Sequence, residues 1–219
     1  EETHHNQTHY VDNSPPNTQL SIGDPHEGNY VKLVTTMILH ATDGGECAVG
    51  ETRIHYRIWN QFTGWSAWQT GAWNSDVAFN FTEQCKHHIE YYAEDRLGNT
   101  EGVKNTTLYC DEVPPESDIS IIDGPYNGNY VNTNTTFRIE ASDPDPYGTG
   151  CAVGGAKIFW RVWNEYDGWV EYNWSTPAPS PVEFTFDENC THHIEWYAID
   201  ALGNVEALHN VTYYSDVTP

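Results

Sequence analysis

Basic residues are what this sequence has least of. Nine Lys plus Arg stand against 32 Asp plus Glu, giving a formal net charge of −23. Such a field repels nucleic acid and anionic membrane surfaces while attracting cations, which excludes a nucleic-acid partner. Long apolar runs are absent too: nothing approaches the roughly 20 residues of a membrane-spanning helix, and no charged-then-apolar segment opens the chain. The sequence therefore predicts no membrane span and reads as a mature or excised piece. No stretch carries a helical hydrophobic period. Gly-x-Ser-x-Gly, His-Glu-x-x-His and the phosphate loop are all missing, and "GTGCAVG" at 148–154 lacks both the dinucleotide spacing and a following helix. The expectation is a protein that is not an enzyme, with no catalytic residue.

Aromatic residues and repetition are in excess. Nine Trp and fourteen Tyr are unusual for this length. From Leu20 the chain reads "LSIGDPHEGNYV" and from Ser120 "SIIDGPYNGNYV". "RIHYRIWNQFTGW" (53–65) matches "KIFWRVWNEYDGW" (157–169), and "CKHHIEYYAEDRLGNTE" (85–101) matches "CTHHIEWYAIDALGNVE" (190–206). Self-similarity along nearly a whole unit means tandem domains. Within each unit the apolar period is two: Ile54, Tyr56 and Ile58 alternate with Arg53, His55 and Arg57, as Ile158, Trp160 and Val162 do with Lys157, Phe159 and Arg161. Gly-Asn at 28–29 and 128–129 and Leu-Gly-Asn at 97–99 and 202–204 supply turns. The predicted fold is all-β: two tandem immunoglobulin-like antiparallel β-sandwiches, 17–113 and 114–219, preceded by an unpaired N-terminal strand and Pro linker, 1–16, equivalent to the last strand of a repeat.

That leader poses its own question. "NQTHYVD" (6–12) recurs as "NTTLYCD" (105–111) and "NVTYYSD" (210–216), each followed closely by proline. A lone strand is not stable in water. Gln7, Thr8, His9, Tyr10 and Val11 are therefore expected either to be the stub of a preceding repeat or to donate a strand to another subunit, joining identical copies head to tail.

The hairpin "AEDRLGNTE" (93–101), its partner "AIDALGNVE" (198–206), and "ATD" (41–43) and "ASD" (141–143) before Gly-rich loops together resemble the immunoglobulin-like repeats of bacterial and archaeal cell-surface proteins. The resemblance covers both units. It implies an extracellular, cell-surface location and a role as spacer, adhesin or layer component, and it implies no particular activity. The paired cysteines and the many tryptophans depart from the usual pattern.

Cys47 with Cys85, and Cys151 with Cys190, occupy matching positions and are expected to form one disulfide within each unit. Closing such a loop stabilises by about 4 kcal/mol in the chain-entropy model, and an oxidising exterior preserves the bond. Free buried thiols are the alternative, and no Cys-x-x-Cys spacing supports metal ligation. Cys110 aligns with Val11 and Ser215 and is left over. Asn6, Asn80, Asn105, Asn134, Asn173, Asn189 and Asn210 head Asn-x-Ser/Thr sequons and are expected to carry covalent N-glycans. The His87–His88 and His192–His193 pairs cannot each chelate one ion from a regular strand, because neighbouring side chains point to opposite faces.

No cofactor is predicted. Calcium is the ion left open, at Asp43 and Glu46 in one unit and Asp143 and Asp145 in the other, near Asp95, Glu101, Asp200 and Glu206. The spacing fits no EF-hand loop, and Asp95 and Asp200 also read as caps of their own turns. Trp59, Trp65, Trp68 and Trp73, with Trp163, Trp169, Tyr172 and Trp174, read as local packing, a protein interface or sugar-stacking platforms. Together these features predict a non-enzymatic extracellular structural protein, a building block of a filament or surface layer that self-associates into a polymer or array. The alternative is a carbohydrate- or partner-binding adhesin module.

Overall fold

A computed structural model describes residues 6–216, and these form strands and turns with no helix. The chain divides at the Cys110–Asp111 bond into two units. The first contains β1 (Asn17–Ile22), β2 (His26–Glu27), β3 (Tyr30–Val31), β4 (Met37–Thr42), β5 (Thr52–Asn60), β6 (Gly64–Trp65), β7 (Gln69–Thr70), β8 (Val77–Phe79), β9 (Cys85–Asp95) and β10 (Lys104–Cys110). The second contains β11 (Glu116–Asp123), β12 (Tyr126–Asn127), β13 (Tyr130–Val131), β14 (Thr136–Ser142), β15 (Lys157–Asn164), β16 (Gly168–Val170), β17 (Ala178–Pro179), β18 (Val182–Phe184), β19 (Thr191–Ile199) and β20 (His209–Ser215).

Each unit is a sandwich of two sheets. In the first, β1-β4-β8 faces β2-β3-β10-β9-β5-β6, with β7 also on β5; the second repeats this order strand for strand. Alternation along β9 shows why. Cys85, His87, Ile89, Tyr91, Ala93 and Asp95 are buried, while Lys86, His88, Glu90, Tyr92 and Glu94 remain partly open. One face packs on Met37, Leu39, Ile54 and Leu108 in the first core. The second core swaps in larger rings, with Phe137 for Met37 and Trp160 and Trp196 for Tyr56 and Tyr91. A buried glutamate clips the sheets together. Glu101 Oε1 accepts the Thr18 and Ala93 amides at 3.0 and 2.9 Å, and Glu206 accepts those of Ser117 and Ala198 at 3.0 and 2.6 Å.

The last strand of each unit is held on both sides. β10 runs antiparallel to β9 and parallel to β3, and β20 sits likewise between β19 and β13. In the single chain the leader forms no strand over residues 6–16, and Gln7, Thr8, His9, Tyr10 and Val11 are exposed. The place beside β9 that its sequence matches is already taken by β10.

A repeated aspartate cluster as candidate cation site

Each sandwich gathers three aspartates from distant parts of the sequence at the pole where β9 or β19 ends. They are Asp12, Asp43 and Asp95 in the first unit and Asp111, Asp143 and Asp200 in the second, each offering a carboxylate oxygen within 4.8 Å of the others. The framework is the hairpin after the central strand. Gly98 takes a left-handed φ of 85°, which only glycine adopts without strain, and lets the chain reverse. Asp95 Oδ1 then accepts the Leu97 and Asn99 amides, both at 2.8 Å, and Oδ2 accepts Asn99 Nδ2 at 2.7 Å. Asn99 Nδ2 also donates to the Asp12 carbonyl at 3.2 Å, pinning the leader. Asp12 Oδ2 accepts the Val49 amide at 2.7 Å, and Asp43 Oδ2 accepts that of Gly50 at 3.0 Å.

The second unit reproduces this network. Asn204 Nδ2 reaches the Asp111 carbonyl at 3.2 Å, while Asp111 and Asp143 accept the Val153 and Gly154 amides at 2.7 and 2.6 Å. The aspartate that closes the recurring seven-residue motif is thus an arm set into the sandwich that follows it. Asp111 accordingly belongs to the second unit.

The cluster is electrostatically loaded. Burial, then the charges of Asp111, Asp200 and Asp145, push the Asp143 carboxyl up to about 6 against the opposing Gly154 amide. Burial likewise pushes Asp111 up despite the Val153 and Val113 amides. Asp95 goes the other way: burial raises it, but hydrogen bonds from the Asn99 side chain and the turn amides outweigh burial and hold it below the usual carboxylate range. In each cluster one carboxylate oxygen is buried with no protein partner, Asp43 Oδ1 and Asp143 Oδ1. An all-oxygen, anionic set on irregular loops suits a hard cation such as calcium, and it offers no nitrogen or sulfur to a transition metal.

The raised Asp143 value has a signed consequence. Its folded state holds the proton more tightly than the unfolded chain, so its contribution to stability falls as pH rises from about 4 to about 6. In chelator at pH 7, Asp143→Asn is therefore expected to raise the second unit's unfolding temperature by a few degrees and to flatten this pH slope. Calcium is expected to stabilise the wild type more than the variant. Scanning calorimetry from pH 4 to 7, with and without calcium, checks both; a less stable variant in chelator at pH 7 contradicts them.

Of the residues the sequence proposed for calcium, Asp43 and Asp143 lie in the clusters, whereas Glu46 and Asp145 do not. Asp145 caps its own loop, accepting the Gly150, Cys151 and Tyr147 amides at 2.6, 3.2 and 3.1 Å, which overcome burial and hold its carboxyl low. Asp12 and Asp111 were missed as members of the clusters, although their recurrence before proline was the available signal.

The expected disulfides are also corrected. Cys47 and Cys190 carry free thiols, whereas Cys85 and Cys151 are disulfide-bonded, so neither within-unit bond exists. Distance explains it. Cys47 lies beside Asp12 and Leu97 at the aspartate pole, and Cys85 begins the eleven-residue β9 that ends there at Asp95. A strand of that length separates them by roughly 30 Å, far beyond disulfide reach.

The other candidates are accounted for locally. His87 and His192 are buried, stacked on Phe81 and Phe186 at 3.7 and 3.8 Å, while His88 and His193 face outward against Trp59 and Trp163. The tryptophans form a ladder with arginine on the outer face. Arg57 lies 4.4 and 4.8 Å over Trp65 and Trp68, Arg161 lies 4.1 and 4.2 Å over Trp169 and Trp174, and Arg53 lies over Trp73. Tyr172 stacks on Trp160. Among the sequons, Asn6, Asn80, Asn105, Asn134, Asn189 and Asn210 are exposed. Two of the side-chain amides are committed: Asn173 to Trp160 Nε1 and the Thr176 carbonyl at 3.1 and 3.0 Å, and Asn80 Nδ2 to the Leu33 and Thr35 carbonyls at 3.3 and 2.9 Å.

Fold and pole together define an all-β protein of tandem immunoglobulin-like sandwiches. No protein-family model and no curated protein matches the sequence. Solved structures similar to it include the chicken CNTN1 FN1–FN3 domains, at 9% identity and a TM-score of 0.39, covering 93% of this chain and 66% of that one. The chain thus spans just under two thirds of that structure's length. The fibronectin(III)-like modules of Clostridium thermocellum CbhA are 15% identical, with a TM-score of 0.35 and coverage of 90% and 94%. Dimeric latent PorU from Porphyromonas gingivalis is 14% identical, with a TM-score of 0.32 and coverage of 94% of this chain and 21% of that one. Among the described residues no helix is long and apolar enough to cross a membrane.

Proposed function

We propose that this chain is a non-enzymatic, extracellular structural protein that builds a cell-surface filament or surface layer from tandem sandwiches joined head to tail. The observation that carries this reading is the aspartate arm. The motif that ends the first unit supplies Asp111 to the second, the leader's copy supplies Asp12 to the first, and a third copy ends at Asp216. Repeats written this way are made to be strung together, because each one is completed by the carboxylate before it. Between copies, the leader residues Gln7–Val11 would exchange with β20 of the preceding molecule, which has the same motif and the same slot. A heterologous contact of that kind propagates instead of closing. N-glycans on the exposed Asn6, Asn105, Asn134, Asn189 and Asn210 belong to this reading, as they suit an outward-facing surface.

The adhesin alternative is less well supported, since guanidinium groups already cover one face of Trp65, Trp68 and Trp169. Electron microscopy of concentrated protein in calcium is the test. Fibres are expected from the whole chain, and deleting residues 1–12 is expected to abolish them while leaving the circular dichroism of the sandwiches intact. Monodisperse monomer from the whole chain at the same concentration would overturn the proposal.

A further inference from the structure

Between the β5–β6 hairpin and the β8–β9 loop the first sandwich has a cleft that the second sandwich fills. In the second unit Tyr172 lies flat on Trp160, with ring centroids 4.3 Å apart and planes 3° from parallel, and Trp160 stacks in turn on Phe184 at 4.5 Å. Burial, then the charges of Asp187, Glu188 and Asp167, push the Tyr172 hydroxyl up, so these three carboxylates mark where its ring sits. Their counterparts in the first unit are Thr82, Glu83 and Thr63. All three line one cavity of about 310 Å³. Trp68 holds the place of Tyr172 in the sequence, three residues after Trp65 as Tyr172 is after Trp169. It has gone to the outer face instead, under the Arg57 guanidinium at 4.8 Å and edge-on to Tyr92 at 5.3 Å. The inner stack of the first unit therefore stops at Tyr56 on Phe79, 5.6 Å apart, with no third ring on it among the described residues.

The cleft also reaches an unpartnered acceptor. His87, in its lining, is 1% exposed; Nδ1 donates to the Cys85 carbonyl at 2.9 Å, which leaves Nε2 as an acceptor, and that nitrogen is buried with no protein partner. Burial pushes the imidazole down, so it is neutral at pH 7. In the second unit the same nitrogen of His192 has Glu188 Oε2 at 3.7 Å and Cys190 Sγ at 3.6 Å. Beside His87 in the lining are the Trp65 ring and Glu83, whose carboxylate accepts Asn60 Nδ2 at 3.2 Å. Aromatic surface and acceptors, with no cation in the lining, suit a flat ring that donates a hydrogen bond and carries no negative charge. We propose that this cleft of the first unit binds a phenolic ring. The ring takes the place that Tyr172 takes in the second unit, and its hydroxyl donates to the acceptors that Glu83 and His87 present. The site lies within one sandwich and does not depend on the building-block role.

Nuclear magnetic resonance of the whole chain tests the site, with p-cresol as the free phenol, N-acetyltyrosinamide as the peptide-borne ring, and toluene and 4-hydroxybenzoate as controls. p-Cresol is expected to bind saturably in the millimolar range, shifting the His87 imidazole and the Trp65 indole N–H while the His192 and Trp169 signals stay in place. Toluene, which lacks the donor, and 4-hydroxybenzoate, which brings a negative charge, should each bind roughly fivefold more weakly. Thr63→Trp, in the exposed hairpin, is expected to fill the cleft and weaken p-cresol roughly tenfold, with circular dichroism confirming the fold. Glu83→Gln should weaken p-cresol severalfold and leave toluene unchanged. N-acetyltyrosinamide binding as tightly as p-cresol assigns the cleft to a tyrosine of a partner chain, and p-cresol binding alone assigns it to a small phenol. No shift at His87, equal shifts in both units, or toluene binding as tightly as p-cresol overturns the proposal.

Discussion

Replacing Asp95 by alanine is expected to cost the first sandwich about 2–4 kcal/mol at pH 7 while leaving the second unchanged. The carboxylate is 2% exposed and accepts three hydrogen bonds, from the Leu97 and Asn99 amides and Asn99 Nδ2. Each bond to a charged acceptor contributes about 1.5–3 kcal/mol, and its loss leaves a donor unsatisfied in a tight turn. Losses within one turn are not additive, which sets the range given. Asp95→Asn keeps one acceptor but turns an amide against Asn99 Nδ2, so about half the loss is expected. The pH dependence identifies the charge. Because the folded-state value is depressed, the stability from this carboxylate is present above the ordinary value of 3.8 and disappears as pH falls through the folded one. The gap between wild type and Asp95→Ala in denaturant unfolding should therefore narrow below about pH 3.8. A gap unchanged at pH 2 would show that packing, not the charge, was lost.

Phe137→Ala is expected to have the largest effect on the second sandwich, about 3–5 kcal/mol. Phe137 is fully buried, with ring centroids of Phe184, Phe186 and Tyr213 at 5.3, 4.9 and 4.8 Å. Removing the ring opens a cavity at the crossing of both sheets, where no strand can collapse without breaking the β11 or β18 pairing. Phe137→Met is the informative partner, since Met37 holds the same place in the first unit. A loss under about 1.5 kcal/mol is expected there, because a flexible side chain of similar volume fills the gap. A calorimetric scan that resolves the two units reads both variants; equal losses would mean that the aromatic cluster, not volume, is decisive.

Much of this architecture was legible beforehand because strand alternation is a local signal. Ile54, Tyr56 and Ile58 face inward for the same reason that Arg53, His55 and Arg57 do not, and no distant contact is needed to see it. Cysteine pairing was illegible for the opposite reason. Alignment shows that Cys47 resembles Cys151 and Cys85 resembles Cys190, but says nothing of which end of an eleven-residue strand each occupies. The aspartate cluster lay between these cases. Asp95 was visible as a turn cap, yet its meeting with Asp12 and Asp43 depends on three loops converging at one pole. The tryptophan excess suggested sugar or partner faces, and only the cross-strand placement of Arg57 and Arg161 reveals what the rings stack against.

The slot that holds β10 has a mechanical consequence. A pull on the chain beyond Cys110 draws this strand lengthwise against β9, to which seven residues are paired, and against β3 on its other side. Both borders are loaded in shear, so their hydrogen bonds share the tension instead of opening one after another like a zip. A thread of such modules would stretch little under load and yield abruptly, one sandwich at a time.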